Sequence, residues 1–84
     1  MQNWIEQNNK LQKTFVFKSF VEAIAWMSKA SLIIDKMDHH PEWTNIYNRI
    51  QVSLSTHDAG NIVTEKDTML AEELDLLFTA MLVK

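Results

Sequence analysis

With 84 residues, no cysteine, one glycine and one proline, the chain is expected to be one small domain, residues 1–84, without linker, low-complexity tract or internal repeat; disulfides, thiolate chemistry and a zinc finger are excluded. Eight Lys and Arg against eleven Asp and Glu give a formal net charge of −3 without a clustered basic stretch, which argues against direct nucleic acid binding. No apolar run approaches the ~18 residues that a membrane span needs and no charged-then-apolar leader opens the chain, so a cytoplasmic protein without membrane contact is expected.

The first predicted element is a hairpin. Trp4 to Glu6 and Leu11 to Phe17 have extended character, and Gln7-Asn8-Asn9-Lys10 between them contains asparagines that tolerate the left-handed conformations of tight turns. Ser19 followed by Glu22 then makes a capping box. Phe20, Ile24, Met27, Ser31 and Ile34 follow at helical spacing, which predicts a helix from Ser19 to Met37 whose core face includes Phe20, Trp26 and Met27.

Beyond Pro41 the period changes to two. Ile50, Val52 and Leu54 alternate with Gln51, Ser53 and Ser55, the mark of a strand with one buried face, and Trp43 to Tyr47 is its hairpin partner across a turn at Asn48-Arg49. Ala59-Gly60-Asn61 breaks the chain, and Thr64 with Asp67 three residues on opens a second helix. Leu70, Leu74, Leu77 and Met81 form its buried stripe, with Glu72, Glu73 and Asp75 turned outward. The order β-β-α-β-β-α predicts an α+β fold, a four-stranded antiparallel sheet with two long helices packed on one face.

All three histidines fall in two short segments, Asp38-His39-His40-Pro41-Glu42-Trp43 and Ser55-Thr56-His57-Asp58. Imidazole has an unperturbed pKa of about 6.5, so such concentration suggests proton transfer or metal ligation. Pro41 removes a backbone donor and pushes His40 out of the helical region, which sets the His-His pair at a helix end. Each residue also has a plainer reading. Two histidines before a proline are commonly surface loop residues, Asp67 is equally a helix-start residue, and Trp43 and Tyr47 serve sheet packing as readily as stacking on a ring.

The run Asp35-Lys36-Met37-Asp38-His39-His40-Pro41-Glu42-Trp43, then Asn45-Ile46-Tyr47-Asn48, then Ser55-Thr56-His57-Asp58-Ala59-Gly60 and Thr64-Glu65-Lys66-Asp67 resembles the pterin-4a-carbinolamine dehydratase family, from Trp4 to the last helix. The resemblance implies conversion of a 4a-hydroxytetrahydropterin to the quinonoid dihydropterin and water, the step that recycles the cofactor of aromatic amino acid hydroxylases. It implies no metal and no cofactor. By motif position, His39, His40 and His57 are the catalytic and substrate-contacting histidines, and Asp67 is their acidic partner. Asp38, Ser55, Thr56 and Asp58 match positions that line the pterin pocket. The reaction needs one proton delivered to the departing 4a-hydroxyl and another taken from a ring nitrogen, work for two differently protonated imidazoles; the resemblance leaves their division open.

The resemblance also implies self-association to dimers, commonly joined into tetramers, with the dimer the more secure because the chain starts almost at its first strand and lacks the N-terminal helix of larger relatives. Two further departures stand out: Asp35 occupies a position where many relatives have glutamate, and the loop from Ala59 to Val63 is one residue longer than in many members. Two other functions compete. Animal relatives also act as dimerisation cofactors of a homeodomain transcription factor, through a helical surface, but His39, His40, His57 and Asp67 have no purpose in pure docking. A small metal-binding protein would bind zinc or nickel tightly, yet the adjacent His39 and His40 are awkwardly placed to hold one ion together.

Overall fold

Two asparagines start the fold. Asn8 and Asn9 hold φ of 54° and 61°, the left-handed pair that a two-residue hairpin turn requires, and they join β1 (Ile5–Gln7) to β2 (Lys10–Val16) in the register Gln7 opposite Lys10. The computed structural model describes residues 3 to 82. After β2 come α1 (Phe20–Met37), β3 (Glu42–Ile46), β4 (Arg49–Leu54), a single 3-10 turn at His57–Ala59 and α2 (Glu65–Leu82). Ser19 caps α1 as its spacing predicts, its hydroxyl accepting from the Glu22 amide at 3.1 Å.

The second hairpin turns at Tyr47-Asn48, one residue earlier than expected from sequence. The Asn45 side-chain amide explains the shift, because it donates to the carbonyls of both Tyr47 (3.0 Å) and Arg49 (3.1 Å) and so holds Tyr47 at φ 53°. Asn48 then pins the turn to the end of β2 by donating to the Phe17 carbonyl at 2.8 Å. The strands lie antiparallel in the order β1-β2-β4-β3, and the central pair runs from Leu11 opposite Leu54 to Val16 opposite Arg49. Both helices pack on one face of this sheet, the predicted α+β architecture.

The core lies between that face and the helices. Leu11 and Phe15 from β2 and Ile50, Val52 and Leu54 from β4 meet Trp26 and Ile34 of α1 and Leu70 and Leu74 of α2, all buried. The buried face of α1 is rotated from the predicted one. Trp26 and Ile34 are buried and Met27 packs against the core as expected, but the face is completed by Ala23 and Ala30, whereas Phe20 is 49% and Ile24 37% exposed and Ser31 lies in solvent. Trp26 decides this, since its indole buries more apolar area than any aliphatic side chain and stacks 4.6 Å from Phe15 and 5.6 Å from Phe17. The two alanines let the helix approach the sheet.

Asp75 also departs from expectation. It turns inward, accepting from the Trp4 indole N–H at 2.9 Å and the Lys13 ammonium at 2.7 Å. Lys13 has its side chain on the core face of β2, opposite Val52, and its ammonium lies 4.7 Å from the Phe15 ring centroid. A cation there needs an anion, and α2 supplies it. Among the described residues no helix is long and apolar enough to cross a membrane.

The rotated face gives a direct test. Ala30→Leu should destabilise the protein by about 1–3 kcal/mol through overpacking, while Ser31→Leu, one residue along, should shift stability by under about 0.5 kcal/mol. Urea unfolding midpoints measure both, and the opposite ranking would restore the face predicted from sequence.

Candidate active site

The end of α1 aims the first histidine. Asp38 adopts the left-handed conformation at φ 50°, its amide donates to the Asp35 carbonyl, and the His39 amide donates to the Ile34 carbonyl at 3.4 Å. These two bonds form a Schellman motif with aspartate where glycine is usual. Pro41 follows and keeps His40 out of a helical conformation. The rings separate as a result. His39 is largely buried, with Nε2 2.5 Å from Asp67 Oδ1, whereas His40 is exposed, with Nε2 3.3 Å from Asp35 Oδ1.

Asp67 occupies the third position of α2 and is 0% exposed. Its carboxylate reaches back to the Thr64 amide at 2.8 Å, the acidic half of a capping box, at the helix end where the dipole favours negative charge. The Thr64 hydroxyl does not complete the box. It lies 2.5 Å from the Thr56 hydroxyl, which in turn donates to Asp67 Oδ2 at 2.8 Å.

Thr56 leaves β4 and closes a tight loop: its amide donates to the Ile62 carbonyl at 2.8 Å, and its own carbonyl accepts from the amides of Ala59 and Asn61. Gly60 at φ 90° and Asn61 at φ 60° supply the left-handed steps of that loop. His57 stands exposed at its start, with Nδ1 3.1 Å from Asn61 Oδ1.

Of the residues singled out by sequence, His39, Asp67 and Thr56 are therefore hydrogen-bonded together, and His57 adjoins them through Thr56. His40 meets Asp35 in the lining of a groove of about 330 Å³ that Pro41 and Trp43 also line. Asp38 and Asp58 are exposed and Ser55 is half-buried. Among the described residues no three His, Asp or Glu side chains converge as a metal cage would. Sequence reasoning did not find Asn61 or the hydroxyl of Thr64. Their signal is spatial: Thr64 was legible as a helix start, but its pairing with Thr56 across the loop follows from the chain path alone.

The hydrogen bonds also fix ring orientation. A carboxylate only accepts, so His39 donates from Nε2, and its neutral ring keeps the lone pair on Nδ1. With Asn61 presenting its carbonyl oxygen, His57 donates from Nδ1 and leaves Nε2 bare. The two imidazoles are held by opposite nitrogens.

Residues 1–77 match the family model described as pterin 4 alpha carbinolamine dehydratase. A relative from Prochlorococcus marinus is 46% identical over 78 residues, which span 93% of this chain and 81% of its own. Another, from Jannaschia sp., is 44% identical over 73 residues, 87% of this chain and 74% of its own. Both carry the name pterin-4-alpha-carbinolamine dehydratase provisionally. The crystal structure of a transcriptional coactivator/pterin dehydratase from Brucella melitensis superimposes with a TM-score of 0.87 at 38% identity, covering 92% of this chain and 83% of that one. A pterin dehydratase-like protein identified as a RuBisCO assembly factor in the alpha-carboxysome shares the fold, with a TM-score of 0.78 at 21% identity over 92% of this chain and 90% of its own.

The Schellman turn that aims His39 can be tested through Asp38. Asp38→Gly keeps a left-handed residue at no steric cost and should leave stability within about 0.5 kcal/mol; Asp38→Val should lose about 1–2 kcal/mol. Urea denaturation of the two variants checks this, and equal stabilities would contradict the turn.

Proposed function

The chain belongs to the pterin-4a-carbinolamine dehydratase family, and on that premise we propose that it dehydrates a 4a-hydroxytetrahydropterin to the quinonoid dihydropterin and water, recycling the pterin cofactor of aromatic amino acid hydroxylases. The observation that carries this reading is the buried His39–Asp67 pair, joined through Thr56 to His57. A pure docking module has no use for such a pair. The reaction breaks the C4a–O bond: the hydroxyl takes a proton and departs as water, while a ring nitrogen gives up its proton and its electron pair forms the new double bond.

His39 suits the second proton. Its bare Nδ1 can accept, and the charge that develops on the ring is met by Asp67 behind it, so acceptance is favoured where an isolated imidazole would have to rely on solvent. His57, held from its Nδ1 side by Asn61, is the complementary donor to the departing hydroxyl when its ring is protonated and Nε2 also carries a hydrogen. His40, at the groove beside Trp43, contacts the substrate. The rim residues Asp38, Ser55 and Asp58 offer carboxylate, hydroxyl and backbone groups to the donor-rich edge of a pterin. No metal or cofactor enters the mechanism.

The physiological form is a homo-oligomer, dimer or tetramer. β1 and β3 are the edges of the sheet, and an unpaired edge is either protected or used to pair with another chain. The helices add exposed apolar residues, Leu32, Met69 and Leu76 among them, as a second contact surface.

Following the decay of 4a-hydroxytetrahydropterin with and without the protein tests the function. His39→Ala or His57→Ala should slow dehydration by roughly 100-fold or more, and dialysis against a strong chelator should leave the rate unchanged. Wild-type rates in both variants, with a folded circular dichroism spectrum, would remove proton transfer from these residues.

For assembly, light scattering after gel filtration at micromolar concentration should give a dimer or tetramer. A single peak at the 9.8 kDa monomer mass would refute it.

A further inference from the structure

Resting on the dehydratase reading above, the geometry points to Thr56 and Thr64 as positioning residues: a one-way chain of hydroxyls that locks the Asp67 carboxylate and thereby the tautomer of His39. Thr56 Oγ1 carries a single hydrogen and has two neighbours, Asp67 Oδ2 at 2.8 Å and Thr64 Oγ1 at 2.5 Å. The carboxylate cannot donate, so the Thr56 hydrogen points to Asp67. Thr64 must then donate to Thr56. With the Thr64 amide also donating to Oδ2, every hydrogen of this chain points toward Asp67, and the proton of His39 Nε2 completes the set at Oδ1.

The arrangement fixes the carboxylate plane. Two donors from different segments hold Oδ2, so Oδ1 can face only His39. Water has no access to replace either donor, because Thr56 and Asp67 are both buried. Thr56 is itself rigid, its amide and carbonyl both engaged in closing the loop to Ile62, and Thr64 sits at the start of α2. Motif resemblance assigns Thr56 to the pterin pocket; its hydroxyl is instead occupied with Asp67. It is a positioning residue, and Thr64, which the resemblance gives no role, is its partner.

Thr56→Val and Thr64→Val keep side-chain shape and remove the hydroxyl, while Thr56→Ser and Thr64→Ser retain it. Two readouts apply to each folded variant: steady-state dehydration, and nitrogen-15 NMR of the His39 ring, which reports the nitrogen that carries the proton. Thr56→Val should lower kcat by about tenfold or more with KM within about twofold, and the His39 Nε2–H signature should give way to exchanging tautomers. Thr64→Val should move both readouts in the same direction by less, and each serine should restore them.

A folded Thr56→Val protein with wild-type kcat and an unchanged His39 signature overturns the inference. So does a rise in KM at constant kcat, which would make Thr56 a pterin contact, or a loss that serine does not restore, which would make it a packing residue. Should Thr56→Val not fold, the less buried Thr64 decides by the same criteria. If the wild-type protein proves inactive on 4a-hydroxytetrahydropterin, the dehydratase reading fails, and the NMR comparison still decides whether the hydroxyls set the His39 tautomer.

Discussion

A fully enclosed carboxylate constrains this fold more than any other group. Burying an uncompensated ion costs several kcal/mol after relaxation, a large share of the roughly 5–15 kcal/mol that holds an entire domain folded. Asp67 therefore has to be met by donors: His39 comes from the exit of α1 and the Thr56 hydroxyl from the exit of β4, while the Thr64 amide is local, at the start of α2 itself. Their convergence on one side chain brings the two helix ends and the sheet together. The left-handed Asp38, the proline at position 41 and the Gly60-Asn61 loop are the local devices that make it possible.

A second carboxylate on the same helix makes an instructive contrast with the first. Asp75 lies eight residues on, about 12 Å along α2 at 1.5 Å per residue, and holds the Lys13 ammonium and the Trp4 indole. Neither partner is an imidazole, and the cluster ties Trp4, just before β1, and Lys13 of β2 to the helix. Asp67 is paired with an imidazole, whose second nitrogen remains available. The same residue type, on the same element, holds an ammonium and an indole in one place and an imidazole in the other, and the proposed function makes the second the back of a proton-handling pair.

Much of the fold was legible because its signals are local. The alternation of Ile50, Val52 and Leu54, the capping serine at 19, the asparagine turn and the chain break at Gly60 each report a backbone preference that tertiary contacts reinforce. The candidate site residues were picked out as motifs, and the resemblance implied an imidazole partner for Asp67 without saying which; in the structure it is His39. What failed was what depends on relative area or on partners from elsewhere. Spacing put Phe20, Ile24 and Ser31 on the same face of α1 as Trp26, but the indole, the larger group, takes the centre of the core and turns those three toward solvent. Asp75 looked like a solvent residue because nothing nearby in sequence announces Lys13. The pairing of Thr56 with Thr64 was invisible for the same reason.

The central claim is that His39 and Asp67 act as one unit in dehydration, and a double-mutant cycle read in that rate tests it most directly. Residues that work as a unit are grossly non-additive. His39→Ala and Asp67→Asn should each slow the reaction, and the double variant should be no slower than the slower single one. Losses that multiply across the cycle, with both proteins folded, would show that the two side chains act independently and would contradict the account.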